Sequence, residues 1–478
     1  MVYVALQVLL CPISNFKVFS ESNKLKFAPI TLVYGPNSSG KSSIIQSLLV
    51  LKKSLLNGHV STPLKSNNEY FQLGSYTSVV NNHDKNKDIN FEINTENSSF
   101  KFVYGLIENN DIKSSFLKNV NLKDNKKREY NFECKIDDKN FGFDRFQLKL
   151  GENYDEYIIE SFKDTINPFD FLQKQFNSLD ARKIKRIFKD IQNETVKKRE
   201  SKVIPIEILK RINLSKSPVL GDFSDIEQIF KRVMVDIIEK DLSDKEQKLK
   251  YILNNISYIG PLRPHPQRVY SLDSLYTDTV GQKGENFLSF LAKDNEYKNS
   301  VNKVLKDFGI KYDIDIIRTD NEIIGDTLSL ILVDRNTKLK TTLVDVGFGI
   351  GQVLPILIEG LVKKHSIICI EQPEIHLHPK LQADLANFFA KDVLSDKSNQ
   401  WIIETHSESL LLRFQRLIKY KELNPEHISI IYVNPTADGA EVIHIPLDED
   451  GDFTVAWPNG FFDERLDEMF GGNPFGEK

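Results

Sequence analysis

The chain has 478 residues, of which 40% are hydrophobic and 10% aromatic, so it can bury the cores of roughly two or three domains, and this excludes a disordered or fibrous protein. No apolar run reaches about 18 residues and the amino terminus has no secretory signal, which predicts a cytoplasmic protein with no membrane partner. A formal net charge of −4 excludes coating of nucleic acid by bulk electrostatics, so any DNA contact needs a local patch.

The first motif is a glycine loop between a predicted strand and a predicted helix. Residues 25–34 are rich in Val, Leu, Ile and Phe, and residues 42–56 have apolar side chains at helical spacing. Between them GPNSSGKS fits the phosphate-loop pattern, in which backbone N–H groups surround the phosphates of ATP. Lys41 is predicted to reach the β- and γ-phosphates and Ser42 to ligate Mg²⁺. The residues predicted to bind nucleotide here are Gly35, Asn37, Ser38, Ser39, Gly40, Lys41, Ser42 and Ser43.

The middle of the chain changes from a strand pattern to a helical one. Between residues 88 and 150 apolar and polar side chains alternate, which predicts an antiparallel sheet. Residues 155–255 have a helical period and many charges. The candidate helices in this insertion are 164–176, 179–192 and 225–254.

A basic stretch lies within the helical insertion. Residues 182–202 carry nine Lys or Arg and three acidic side chains. Two interpretations stay open, a contact with DNA or the solvated face of a charged helix.

The three cysteines are far apart, and each lies in an apolar or alternating stretch. Such positions predict buried free thiols at Cys11, Cys134 and Cys369 rather than a disulfide or a metal site. Redox chemistry is therefore not indicated.

The carboxyl-terminal half returns to strands at 311–345 and then alternates helix and strand over 350–435, which predicts a parallel α/β sheet. A glycine-rich turn, VGFGIGQ at 346–352, stands at the start of the first of these helices. This turn lies in the sequence just before a strand that ends in a carboxylate, and that position favours a contact with phosphate over a packing role. The residues predicted to make that contact are Gly347, Gly349, Gly351 and Gln352.

Two predicted strands end in side chains that suit ATP chemistry. The strand HSIICIE ends at Glu371 and is followed by Gln-Pro-Glu, which predicts that Glu371 holds the metal directly or through water. The strand WIIETH ends at His406, and this order of motifs resembles that of ABC ATPases, which implies that His406 is a switch residue that contacts the γ-phosphate. Because Lys41 and Glu371 come from opposite ends of the chain, the residues between them are predicted to form inserted lobes.

With these motifs the chain resembles ABC-type ATPases of the AAA group that includes the OLD, RecF and SMC families. More narrowly, it resembles a bacterial subfamily over about residues 1–80 and 256–470. The motifs that carry this resemblance are PITLVYGPNSSGKSSIIQSLL, LGSY, YIGPLRPHPQR, VGFGIGQVLP, IEQPEIHLHPKLQ, ETHSESLLLR and WPNGFF.

The resemblance implies an α/β fold, an ABC-type ATPase head with a mixed or parallel core sheet, an antiparallel β lobe and a helical insertion. The expected domains are an amino-terminal ATPase lobe at 1–150, the insertion at 151–255 and a carboxyl-terminal ATPase lobe at 256–478.

The resemblance also implies an ATP-sandwich homodimer or higher oligomer. In such a dimer Gly349 and Gly351 of one subunit close over the ATP and Mg²⁺ held by Lys41 of the other. It further implies that Gln72 is a metal-contacting Q-loop residue and that residues 376–378 form the D-loop.

One departure from the ABC pattern concerns the hydrolytic step. Most ABC ATPases have a glutamate after the metal-side carboxylate, and this sequence has Gln372, which cannot accept a proton from the attacking water. General-base catalysis commonly contributes about 10²- to 10⁴-fold in rate, so hydrolysis is expected to be slow. Glu374 is the candidate replacement, and activation by a partner or by DNA is the alternative. The predicted catalytic residues are Glu371, Gln372, Glu374 and His406.

The leading functional hypothesis is an ATP-dependent sensor that controls a separate effector, such as a nuclease, in anti-phage defence, as in the Septu and PARIS systems. The alternatives are a RecF-like DNA maintenance ATPase and a scaffold with structural ATP. A neighbouring nuclease gene would favour the first, salt-dependent DNA binding the second and stable ATP-bound oligomers without turnover the third.

Overall fold

The computed structural model describes most of the chain outside the insertion. The described residues are 8–20, 23–56, 63–109, 112–126, 128–137, 142–150, 195–197, 226–271, 278–320, 325–347 and 349–458. They fall into two units, unit 1 with residues 25–45 and 255–458, and unit 2 with residues 8–24 and 46–254.

The positions of the helices and strands are close to those predicted from the sequence. In chain order they are β1 (Leu10–Ser14), β2 (Asn23–Lys26), β3 (Ile30–Tyr34), α1 (Lys41–Leu56), α2 (Tyr76–Val79), β4 (Ile89–Thr95), β5 (Ser98–Asn109), β6 (Ile112–Asp124), β7 (Glu129–Asp137), β8 (Gly142–Leu150), β9 (Thr195–Lys197), α3 (Ile226–Asn254), β10 (Ile256–Ile259), β11 (Tyr270–Ser271), α4 (Phe287–Lys293), α5 (Asn295–Asp307), β12 (Tyr312–Thr319), β13 (Thr327–Asp334), β14 (Lys340–Thr342), α6 (Gly349–Val362), β15 (Ile367–Glu371), α7 (Pro379–Val393), β16 (Gln400–Glu404), α8 (Glu408–Lys419), β17 (Ile428–Thr436) and β18 (Gly439–His444).

Unit 1 is built on a six-stranded sheet in the order β10-β15-β16-β3-β17-β18. The first five strands are parallel and β18 is antiparallel to β17. Every side chain of β3, β15 and β16 is buried, as expected for parallel strands covered on both faces. Helix α6 approaches the sheet so closely that a Cβ at Gly360 would lie 2.8 Å from Trp401. The predicted α/β fold with a mixed core sheet is confirmed.

A smaller antiparallel sheet completes unit 1. Its strands are ordered β11-β13-β12, and β14 also pairs with β13 in the antiparallel direction. The buried side chains of β13 alternate with half-buried ones, and helix α5 packs against β12. Strands β12, β13 and β14 are those predicted for residues 311–345, whereas β11 was not predicted.

Unit 2 is built on an antiparallel sheet in the order β2-β1-β4-β5-β6-β7-β8-β9. Side chains of β4 alternate strictly between buried and half-buried, which is the pattern of a sheet covered on one face. On α3, the buried Lys245 forms ion pairs with Asp241 and with Asp124 of β6, and Asp241 accepts a 2.6 Å hydrogen bond from Tyr130. The predicted antiparallel lobe is confirmed.

The predicted domain boundaries agree only in part with the two units. The boundary predicted at 255/256 lies one residue from the start of the second segment of unit 1. Residues 25–45, which the sequence assigns to the amino-terminal lobe, fold with unit 1 because β3 lies between β16 and β17. Helix α3 matches the predicted helix at 225–254, whereas the candidate helices at 164–176 and 179–192 lie outside the described residues. The three-part division stays a prediction.

The three cysteines are buried thiols that form no disulfide bond, as predicted. Burial raises the pKa of the Cys134 thiol to about 11, which keeps it protonated and unreactive at neutral pH. Among the helices of the described chain, none is long and apolar enough to cross a membrane.

A buried carboxyl group in unit 1 gives the fold a pH dependence. Asp392, near the end of α7, accepts hydrogen bonds from Trp401 Nε1 at 2.8 Å and from Asn399 Nδ2 at 3.0 Å. Burial raises its pKa from 3.8 to about 6. Since the folded state holds this proton more tightly than the unfolded state, the associated stability is present below about pH 4 and is lost as the pH rises through about 6.

We therefore expect the parent to lose about 2 kcal/mol of unfolding free energy relative to Asp392→Asn between pH 4 and pH 6.5. The asparagine variant is the control because its amide does not titrate in this range. Urea unfolding followed by tryptophan fluorescence measures both proteins. A constant difference across this range would contradict the prediction.

Candidate functional site

The glycine loop and the predicted catalytic residues lie at the carboxyl ends of neighbouring parallel strands in unit 1. Strand β16 lies between β3 and β15, and the register places Glu404 opposite both Val33 and Glu371. The glycine loop follows β3 directly and leads into α1. Open α/β sheets bind ligands at this edge.

The glycine loop has the backbone of a phosphate-binding turn. Gly35, Ser38 and Gly40 have φ angles of 145°, 63° and 101°, in the region that favours glycine. At Gly35 a Cβ would lie 2.5 Å from the carbonyl oxygen of Val433 and 2.8 Å from Ser39 Oγ, so only glycine fits. The fold thus requires the predicted glycine there.

Two side chains of the glycine loop, those of Ser39 and Lys41, are buried. Lys41 is 5% exposed, and its Nζ donates to the carbonyl oxygens of Gly35 at 3.0 Å and Pro36 at 2.8 Å. Ser39 Oγ is buried and has no hydrogen-bond partner among the described residues. An unsatisfied hydroxyl next to a helix amino terminus fits a phosphate oxygen.

A carboxylate that the sequence analysis did not select, Glu404, contacts the loop. It ends β16 and accepts a hydrogen bond from the Ser42 hydroxyl, while its Oε2 is buried without a partner among the described residues. Burial raises the pKa of Glu404, although the Ser42 bond and the charge of Lys41 oppose this effect. The strand WIIETH carries the missed signal, because a carboxylate stands at its end two residues before His406.

Glu371, the predicted metal-side carboxylate, lies beside Glu404 at the end of β15. Its Oε1 accepts a 3.0 Å hydrogen bond from the hydroxyl of Tyr258, which comes from β10 and was also missed. Hydroxyl and carboxylate oxygens are the ligands Mg²⁺ prefers, usually together with substrate phosphates. Ser42, Glu404 and Glu371 therefore fit a magnesium ion bound with ATP.

The other predicted catalytic residues surround the same strand ends. Glu374 accepts hydrogen bonds from Thr405 Oγ1 and from the backbone N–H of His406, both at 2.7 Å. Burial raises the pKa of Glu374. Burial also lowers the pKa of Lys41, although the nearby charges of Glu404 and Glu374 act in the opposite direction and raise it. Burial and repulsion from Lys41 lower the pKa of His406, so its imidazole is neutral at pH 7. Gln372 has a left-handed φ of 46° and donates its N–H to the Glu404 carbonyl at 2.7 Å.

The glycine-rich turn lies elsewhere in unit 1. A Cβ at Gly349 would lie 3.4 Å from the His376 carbonyl, and one at Gly351 would lie 3.1 Å from Pro266 Cγ. Gln352 is buried, and within the described chain its Nε2 has no hydrogen-bond partner. The structure does not join these residues or Gly347 to the glycine loop by any hydrogen bond among the described residues, so their phosphate contact stays a prediction.

Gln72 belongs to unit 2. Its side chain is exposed, and its Nε2 donates to the carbonyl of Asn68 at 3.3 Å. Its predicted role at the metal stays a prediction.

Comparison with known proteins gives two family matches. The AAA ATPase domain model, AAA_15, matches residues 12–411, and a model described as a protein of unknown function, DUF3696, matches residues 423–470. No curated protein sequence matches the chain.

Two solved structures similar to the chain are SMC heads. One is the Pyrococcus furiosus Smc head domain with an extended coiled coil bound to the C-terminal domain of ScpA, at 10% identity and a TM-score of 0.38, covering 92% of this chain and 96% of that one. Another is the SMC head domain from Thermotoga maritima, at 8% identity and a TM-score of 0.37, covering 92% and 99%. Because the AAA_15 match spans most of the sequence and includes the glycine loop and the carboxylates Glu371, Glu374 and Glu404, the chain belongs to the AAA ATPase domain family.

Proposed function

We propose that the protein is a slow ATPase that uses Mg·ATP as a conformational switch. This proposal rests on the polar groups around Lys41, which come from the glycine loop, the ends of the parallel strands and the start of α1. There the Ser42 hydroxyl bonds to Glu404, and the buried Ser39 Oγ and Glu404 Oε2 are left for a ligand and its metal. An arrangement with no ligand would leave these polar atoms unsatisfied at a free-energy cost of about 1–3 kcal/mol each.

The roles of the side chains follow from their positions. The loop N–H groups and Lys41 bind the phosphates, and Ser42, Glu404 and Glu371 hold the metal. Mg²⁺ in such a site neutralises the charge that develops on the phosphate oxygens. The neutral His406 can donate to the γ-phosphate, and Glu374 accepts the proton of the attacking water.

Two features support slow turnover. Gln372 stands where a glutamate would act as base, and it has no titratable group. One oxygen of Glu374 accepts a hydrogen bond from Thr405 and the other from His406, and these bonds stabilise the ionised carboxylate and so make it a weaker base. We infer that the ATP-bound state is long-lived and that Glu371, Gln372, Glu374 and His406 shape its lifetime.

The switch is proposed to act through an ATP-sandwich homodimer in which Gly347, Gly349, Gly351 and Gln352 of one subunit contact ATP held by the other. Gly347 is a suitable position for testing the dimer by substitution, because it is exposed and an added Cβ would have no atom within 4 Å. Gly347→Asp should therefore leave the fold and single-chain ATP affinity unchanged. It should weaken ATP-induced dimerisation by 10-fold or more (an order-of-magnitude estimate), since a carboxylate would face the triphosphate.

Sedimentation of the parent and of Gly347→Asp, each with and without Mg·ATP, measures this effect. A parent that stays monomeric with ATP bound would exclude the sandwich. A variant that dimerises as well as the parent would exclude Gly347 from it.

The proposed output is control of a separate protein effector, such as a nuclease in anti-phage defence, as the motif resemblance suggests. The competing function is that of a DNA-activated ATPase of RecF type, favoured by the nine basic side chains of residues 182–202. DNA affinity at low and high salt separates them, because phosphate contacts weaken steeply with salt. Salt-dependent binding together with DNA-stimulated ATP hydrolysis would replace the effector proposal.

A further inference from the structure

The segment that follows β10 closes over the end of β15. Strand β10 pairs in parallel with β15, with Tyr258 opposite Cys369 and Ile259 opposite Ile370. The chain then turns at Gly260, whose N–H donates to the Gln282 carbonyl at 2.8 Å, and continues through the motif residues PLR. This path brings Arg263 to the strand end that carries Glu371.

Arg263 binds the backbone there with two of its nitrogens. Its Nη2 donates to the Glu371 carbonyl at 3.2 Å and its Nη1 to the Gln372 carbonyl at 3.4 Å. The same Gln372 carbonyl accepts from the Ile375 N–H at 3.3 Å. These contacts lie on the left-handed turn that links Glu371 to Glu374, so they constrain the direction in which both carboxylates point.

The position is costly for a cation. Arg263 is 7% exposed, its Nε has no hydrogen-bond partner among the described residues, and burial lowers its pKa to about 10. The buried charge is offset by attraction to Glu374, which in turn keeps the pKa of Glu374 lower than burial alone would set it. A neutral side chain could donate to a carbonyl without this desolvation cost, so the charge itself points to the carboxylates.

We propose that Arg263 is a positioning residue for ATP hydrolysis. Through the carbonyls of Glu371 and Gln372 it fixes the turn, and through its charge it attracts the Glu374 carboxylate toward the position where that carboxylate serves as base. The inference rests on the proposed ATPase function. It predicts that loss of Arg263 reduces the catalytic rate and leaves nucleotide binding intact, because the hydrogen bonds of Arg263 among the described residues go to Glu371 and Gln372 and not to Lys41 or the glycine loop.

The test measures kcat and KM for ATP, the Kd of a fluorescent ATP analogue and the thermal unfolding temperature of Arg263→Gln and Arg263→Lys. A misplacement of about 1 Å at a reacting group costs about 10²-fold in rate. Arg263→Gln should therefore lower kcat by about 10²-fold with Kd within about twofold of the parent. Arg263→Lys keeps the positive charge but loses the pair of hydrogen bonds to two carbonyls, so its kcat should lie between that of Arg263→Gln and that of the parent.

Arg335→Gln is the matched control, because Arg335 also donates to two backbone carbonyls of unit 1, those of Ile310 and Asn302. It should lower thermal stability and leave kcat unchanged. An unchanged kcat in Arg263→Gln, or equal losses of kcat and ATP binding in that variant, would overturn the inference. If Arg263→Gln does not fold, Arg263→Lys decides, since full parental kcat in that variant overturns the proposal and a reduced kcat with parental Kd supports it.

Failure of the proposed function itself would look different. In that case the parent chain would neither bind nor hydrolyse ATP. A parent with measurable turnover that is insensitive to Arg263 would overturn only the inference about this residue.

Discussion

Replacing Lys41 with alanine is expected to weaken ATP binding by about 10- to 100-fold and to lower turnover by a further 10²- to 10³-fold (order-of-magnitude estimates). The Lys41 ammonium is buried at the start of α1 between the glycine loop and the carboxylates Glu404 and Glu374. Alanine removes the only charge of the loop GPNSSGKS, so the triphosphate is left with neutral donors. Calorimetric titration with Mg·ATP measures the change in affinity.

The control is Lys53→Ala, which removes a lysine near the other end of the same helix, where it pairs with Glu69. This variant should bind ATP as the parent does. Lys41→Ala must also retain a cooperative unfolding transition, since its ammonium bonds to the Gly35 and Pro36 carbonyls. A Lys41→Ala protein that folds and binds ATP with parental affinity would refute the assignment of the site.

The second large effect is expected for Glu374→Gln, which should reduce ATP turnover by about 10²- to 10⁴-fold and leave ATP binding close to that of the parent. The amide cannot accept the proton of the attacking water. It can still accept the His406 N–H with its oxygen, and the Thr405 hydroxyl can rotate to accept from its nitrogen, so the local fold should persist. Release of inorganic phosphate under single-turnover conditions measures the chemical step.

Gln372→Glu is the complementary variant, because it restores a carboxylate at the position where ABC ATPases carry their base. It is expected to raise the rate of phosphate release above that of the parent. Turnover in Glu374→Gln equal to the parent's would eliminate Glu374 as base. An accompanying rise in Gln372→Glu would then identify residue 372 as the position that limits hydrolysis.

Local patterns in the sequence were sufficient for the phosphate loop and most of the secondary structure. The loop is contiguous, and its glycines are required by backbone angles that other residues rarely adopt, so GPNSSGKS predicts the loop without any tertiary information. The alternation over residues 88–150 predicts the antiparallel strands for the same reason, because side chains of a strand alternate between faces. The helix at 225–254 was found within one residue of its start, as Ile226–Asn254.

Tertiary structure alone decided which carboxylate contacts Ser42 and what holds Glu371 in place. The sequence predicted Glu371 from its strand, but the interleaving of β16 between β3 and β15 puts Glu404 next to the loop. Tyr258 of β10 and Arg263 of the segment after β10 bind Glu371 from more than a hundred positions earlier in the chain. Periodicity and motif spacing report only neighbours along the chain, whereas strand order and register are set by how the buried faces of all strands pack together.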